Sequence, residues 1–151
     1  MIFNNSIEVP NKGVERFIEA QDCDYAGYVQ ALEEVRNGRK VSHWIWYIFP
    51  QLNSLGHSMM AKYYGIVNKD EAIAYLQNST LHDRIHEISE ALLQHHNKSI
   101  VDIFGPIDTM KVKSSMTLFD AISPDDVFAR VLDQFYGGNR DKKTLKLLHE
   151  G

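Results

Sequence analysis

Two basic groups, a hydroxyl, an imidazole, two indoles, a phenol and an amide fall within one run of the chain. It reads Arg39-Lys40-Val41-Ser42-His43-Trp44-Ile45-Trp46-Tyr47-Ile48-Phe49-Pro50-Gln51. Indole planes stack on flat rings, and Arg or Lys neutralises phosphate or carboxylate. Ser42 and Gln51 can orient a polar edge of a ligand. An imidazole such as His43 is the side chain best suited to general acid–base work at neutral pH. The mixture has the chemistry of a pocket wall for a small anionic or nucleotide-like ligand. Aromatic stripes also pack cores, and in that reading Trp44 and Trp46 are interior and His43 bonds a buried carbonyl.

A second constellation lies downstream. Asp108, Lys111 and Ser115 share a helix face at i, i+3 and i+7, with Ser114 beside them. At a surface, a Lys–Asp pair at i, i+3 contributes little. Buried, it is costly unless a site uses it. Lys111 is therefore a candidate catalytic residue beside His43. The candidate ligand-binding residues are Arg39, Ser42, Trp44, Trp46, Gln51, Asp108, Ser114 and Ser115.

Other patterns have plainer readings. His82-Asp83-Arg84-Ile85-His86 resembles a zincin helix with Asp for Glu. Ile85 belongs to the apolar stripe, so the two imidazoles turn to the flank or solvent, and neither a metal nor a cofactor is expected. His95-His96 suits a helix C-terminus, where cations are favoured. Gly137-Gly138-Asn139-Arg140 reads as a helix stop before an anion site. There is no G-x-G-x-x-G, P-loop or G-x-S-x-G motif. Cys23 is the single cysteine and sits between Asp22 and Asp24, where a thiolate is disfavoured.

The elements that must position these groups are helical. Val14, Phe17 and Ile18 start a first helix. Tyr28, Leu32 and Val35 mark a second, closed by Asn37-Gly38. Residues 43–49 form a short helix stopped before Pro50, with a strand as the competing reading. Helices follow over 58–64, from Asn68 with Ala72, Ile73 and Leu76 inward, and from Ser79 or Thr80 through His95. Gly105-Pro106 ends a turn begun at Ile100. Residues 107–122 carry Met110, Ser114 and Leu118 on one stripe. Ser123 caps the next helix with Pro124 first inside it. Asn139 or Asp141 opens the last. The expected fold is all-α, with eight or nine short helices, no sheet, and a single domain over 13–151. Residues 1–12 read as a disordered or extended leader.

The chain has 151 residues, enough for one domain with a sizeable core. A formal net charge of -4 argues against a dedicated nucleic-acid binder. One cysteine excludes an internal disulfide and fits the reducing cytoplasm. No apolar run approaches the ~20 residues that span a bilayer, and Met1–Pro10 lacks a signal-peptide pattern.

The run from Arg39 to Gln51, followed by Gly56-His57-Ser58 and Ala61-Lys62-Tyr63-Tyr64, resembles the hallmark of a bacterial family of small proteins of unknown function. Its members often carry an automated "calpastatin" label. The resemblance extends through Arg16-Phe17, Ala20-Gln21, Ala74-Tyr75-Leu76, Ile103-Phe104-Gly105 and Asp108-Thr109-Met110-Lys111. It continues through Ser114–Phe119, Phe128–Leu132 and Phe135–Gly138, covering nearly all the chain from about residue 13. It implies a mainly α-helical single domain and supplies no reaction, cofactor or catalytic residue. The calpastatin label fits poorly, because inhibitors of that kind are long, disordered and polar. The positions of His82 and His86 are not held as histidines in the family pattern.

The leading expectation is a cytoplasmic helical protein with an aromatic, basic pocket, with or without turnover. The first alternative is a non-enzymatic protein–protein interaction module whose aromatic run is core. The second is binding of RNA or a modified nucleotide.

Overall fold

The computed structural model describes residues 13–150. The expected leader, residues 1–12, lies outside the described residues. In chain order the helices are α1 (Glu15–Gln21), α2 (Tyr28–Arg36), α3 (Ile45–Ile48), α4 (Met59–Tyr64) and α5 (Lys69–Gln77). They continue as α6 (Ser79–Leu93), α7 (Ile100–Ile122), α8 (Val127–Tyr136) and α9 (Lys142–Glu150). One 3-10 turn, Asn53–Leu55, joins α3 to α4. Among the described residues there is no strand. The all-α single-domain expectation holds.

Helix α7 packs against α5, α8 and α9, and α6 packs against α2, α5 and α8. The apolar spacing explains the second set. Leu81, Ile85, Ile88 and Leu92 form one fully buried stripe on α6. Val127, Phe128, Val131 and Leu132 do the same on α8. Two aromatic groups fill the centre. Phe17, Tyr75, Phe119 and Phe128 form a chain with centroid spacings of 5.1, 5.1 and 5.7 Å. Trp44, Phe49 and Phe104 form the other, with Phe104 edge-on to both. Each such ring contributes about 1.5–3 kcal/mol by burial.

Helix α7 bends at Gly105, whose φ of 80° and ψ of 167° suit glycine alone. The break expected at Gly105-Pro106 is there: two helical stretches meet at this non-helical residue within α7. Two apolar faces and two helix caps differ from expectation. On α7, Ser114 and Leu118 of the expected stripe are buried with Val112, Met116 and Phe119, while Met110 is exposed, because the face carrying Ile107 and Met110 is left uncovered by its neighbours. On α5 the buried pair is Ala72 and Tyr75, with Ile73 and Leu76 only partly covered.

The caps also differ. Asn78, not Ser79 or Thr80, caps α6 by accepting from Leu81 N at 3.1 Å. Helix α8 starts at Val127 and is capped by Asp126, not Ser123. Asp125 adopts a positive φ of 59°, which interrupts any helix begun at Pro124. Ser123 instead donates its hydroxyl to the Asp126 carboxylate at 2.8 Å.

Candidate functional site

The segment between α2 and α3 is held from below by Glu34. Its carboxylate accepts from Val41 N at 2.8 Å, Ser42 N at 2.9 Å, Ser42 Oγ at 2.7 Å and Trp44 Nε1 at 2.9 Å. Burial alone would raise this carboxyl, but the Ser42, Val41 and Trp44 donors outweigh it and bring it down to about 2. Burial alternates along the chain from Arg39 to Trp44. Lys40, Ser42 and Trp44 point inward, whereas Arg39, Val41 and His43 face solvent.

Lys40 reaches across to α7. Its N–H donates to Ile103 O at 2.7 Å, and its ammonium pairs with Asp108 at 3.0 Å. The same ammonium lies 5.1 Å from the Trp44 ring. Lys111 stands 3.7 Å from the other Asp108 oxygen and 5.6 Å over the Trp46 ring. Asp108 is thus shared by two lysines, and the run around Trp44 is packed on the Asp108–Ser115 face.

Gln51 follows Pro50 and is anchored by its backbone. Ile66 N donates to Gln51 O at 2.8 Å, and Asn53 N donates to Ile66 O at 2.8 Å. Gln51, Lys111 and Ser114 line one open groove of about 510 Å³. Leu55, Pro106, Ile107 and Met110 supply its apolar floor, and Asp141 and Lys143 at the start of α9 form its far rim. A narrower cleft sharing Gln51 and Lys111 leads to Trp46 and Phe49. Among the described residues, the buried Trp46 indole N–H and Ser115 hydroxyl have no hydrogen-bond partner.

The candidate residues therefore divide. Gln51, Lys111 and Ser114 share the groove, with Trp46 at its inner cleft and Asp108 beside it. Trp44 is 0% exposed, with its N–H on Glu34, so it presents no face to a ligand. Ser42 is buried on the same carboxylate. Ser115 is fully buried and lines neither cavity. Arg39 and His43 are exposed, lie outside the groove lining, and have no side-chain partner among the described residues.

Sequence reasoning missed Glu34, Asp141 and Lys143. The signal for Glu34 was a carboxylate flanking the apolar face of α2, a few residues before a stretch rich in donors. Asp141 and Lys143 come from a helix that reads locally as ordinary surface.

The His82–His86 pair has a structural role. The two rings stack at 4.0 Å, and His86 Nε2 lies 3.0 Å from Asp126, the cap of α8. Among the described residues, no three His, Cys, Asp or Glu side chains are grouped to hold a metal. His95 bonds the Val35 carbonyl at the end of α2 at 2.6 Å. Among the described residues, no helix is long and apolar enough to cross a membrane.

No curated protein matches the chain. Among solved structures, it is similar to the conserved hypothetical protein Rv1873 from Mycobacterium tuberculosis, with 43% sequence identity and a TM-score of 0.85. The likeness covers 90% of this chain and 96% of that one. A family model described as "Protein of unknown function" matches residues 11–148. That match agrees with the resemblance to a family of unknown function and spans nearly the whole sequence. The chain belongs to the DUF1810 family.

Proposed function

We propose that this protein binds a small anionic or nucleotide-like ligand in the groove between the α3–α4 connection, α7 and the start of α9. One observation carries the reading. Gln51, singled out for its chemistry, meets Lys111 and Ser114 from a distant part of the sequence in a single groove with an apolar floor. Its size falls within the range of small-molecule sites, on the order of 300–1,000 Å³. Lys111 supplies charge, Ser114 and Gln51 supply directional hydrogen bonds, and Trp46 walls the inner cleft. Ligand binding is the core of the proposal; turnover, with His43 as acid–base group, is a separate claim. The exposed single cysteine fits a reducing cytoplasm. Calpain inhibition is not part of the reading, since the chain is a packed helical core.

A thermal-shift screen of nucleotides, sugar phosphates and carboxylates tests it. A ligand present at 100 times its Kd adds about 2.7 kcal/mol and raises the melting temperature by several degrees. Lys111→Ala and Ser114→Ala should lose that rise while melting near the wild-type temperature. If only His43→Ala or Arg39→Ala loses it, the site lies on the solvent-facing edge of residues 39–43 instead.

A second reading has its own support. Ile107 and Met110 are 71% and 69% exposed, and Trp44 is core, as the interaction-module alternative requires. A protein partner would cover that apolar floor, and Ile107→Asp would then abolish complex formation.

A further inference from the structure

We propose that the groove selects an amphipathic monoanion, one carboxylate on an apolar body, over multiply charged phosphates; this rests on the groove being a ligand site. The charge balance around it leads there. Lys40 and Asp108 form a close pair at 3.0 Å with little exposure, so that carboxylate is already neutralised. Lys111, 3.7 Å from Asp108, is left as the surplus cation. On the opposite rim, Lys143 has no side-chain partner among the described residues.

Asp141 faces the same groove and cannot swing away. Its carboxylate accepts from Thr144 N at 3.0 Å and from the Thr144 hydroxyl, capping α9. Its own N–H donates to Thr117 Oγ1 at 2.9 Å, which ties it to α7. The two lining lysines are therefore offset by one fixed carboxylate, and a single positive charge remains. One negative charge satisfies that balance. A second would be held beside the fixed Asp141 carboxylate, where like charges repel.

The rest of the lining is apolar. Leu55, Pro106, Ile107 and Met110 make no directional contact, and Met adapts to varied apolar shapes. Ile107 and Met110 are the exposed parts of this floor, so a hydrocarbon or ring laid on them gains by leaving water. A charged head between Lys111, Lys143 and Ser114, with a body along the Ile107–Met110 floor, uses the lining as it stands.

Calorimetric titration at pH 8 and low salt decides it, with octanoate, octyl phosphate, octanol and adenosine monophosphate as probes. At that pH the phosphates are dianions, since the second phosphate ionisation lies near about 6. Octanoate should bind about tenfold or more tighter than octyl phosphate and octanol. Lys111→Gln and Lys143→Gln should each weaken it about tenfold, and Met110→Glu should remove it. Lys143 is exposed, so its variant keeps the test valid even if Lys111→Gln is poorly folded. Tighter binding of octyl phosphate or adenosine monophosphate, sensitive to the same lysines, overturns the monoanion inference and leaves the groove as the ligand site. Binding of none of the four overturns the inference, and the broader screen then judges the groove. Octanoate binding unchanged in both lysine variants overturns inference and groove together.

Discussion

Glu34 shows how one buried side chain can organise a segment. It satisfies two backbone N–H groups, a hydroxyl and the indole of fully buried Trp44. Glu34→Ala should cost about 3–5 kcal/mol, as expected when a buried charged network loses its centre. Glu34→Gln should cost less, because it keeps an acceptor. The pH dependence follows from a carboxyl brought down to about 2 in the folded protein. Its stabilising contribution is complete above the ordinary carboxylate range and is lost as pH falls from about 4.5 towards 2. Urea denaturation should therefore show a wild-type advantage over Glu34→Gln at pH 6 that shrinks at pH 3. An advantage that persists at pH 2 would refute the assignment. The two tryptophans should differ as well. In Trp46→Phe the remaining Trp44 should resist acrylamide, whereas in Trp44→Phe the remaining Trp46 should be quenched. Ready quenching of Trp44 would contradict its enclosure.

At the scale of elements, the kink in α7 serves two surfaces. Residues before Gly105 meet the run around Trp44 through Ile103, and residues after it carry Asp108, Lys111 and Ser114. A Cβ at Gly105 meets no atom within 4 Å, so the penalty for Gly105→Ala is conformational and not steric. It should be about 1–3 kcal/mol, seen as a melting temperature lowered by several degrees. An unchanged melting temperature would mean that the backbone relaxes at no cost. The start of α7 is set by a reciprocal cap. Ser99 and Asp102 form a capping box at the start of α7. Ser99→Ala should cost about 1 kcal/mol by chemical denaturation.

For the molecule as a whole, the most consequential long-range tie is Arg16 with Glu71. The pair is bidentate at 2.7 and 3.0 Å, and Arg16 also donates to Tyr63 O at 2.7 Å and Gly65 O at 2.8 Å. It joins α1, the end of α4 and α5 around a guanidinium that is 2% exposed. Arg16→Ala should cost about 3–5 kcal/mol, because it strands Glu71 and two buried carbonyls. Hydrogen exchange should then speed up in α1 and α5 before α7 and α8. Uniform acceleration would mean that the tie holds the whole molecule and not that corner.

The helical class, the placement of most helices and the buried stripes of α6 and α8 were legible in the sequence. Apolar spacing at 3.6 residues per turn is a local signal that tertiary packing here only reinforces. Lys111, Ser114 and Gln51 were legible as candidates from residue type and spacing. What the sequence could not decide was which of them meet. Competing caps such as Ser79 against Asn78, or Ser123 against Asp126, have similar local energies, so distant partners such as His86 choose between them. Trp44 and Trp46 have the same chemistry and nearly the same neighbours. Only the position of Glu34, beneath a segment whose side chains alternate between core and solvent, sends one indole into the core and leaves the other beside Lys111. The sequence by itself determined the helices and the chemical inventory, because both are local. The tertiary structure decided burial, charge pairing and the groove, because each depends on which side chains from distant segments share the same space.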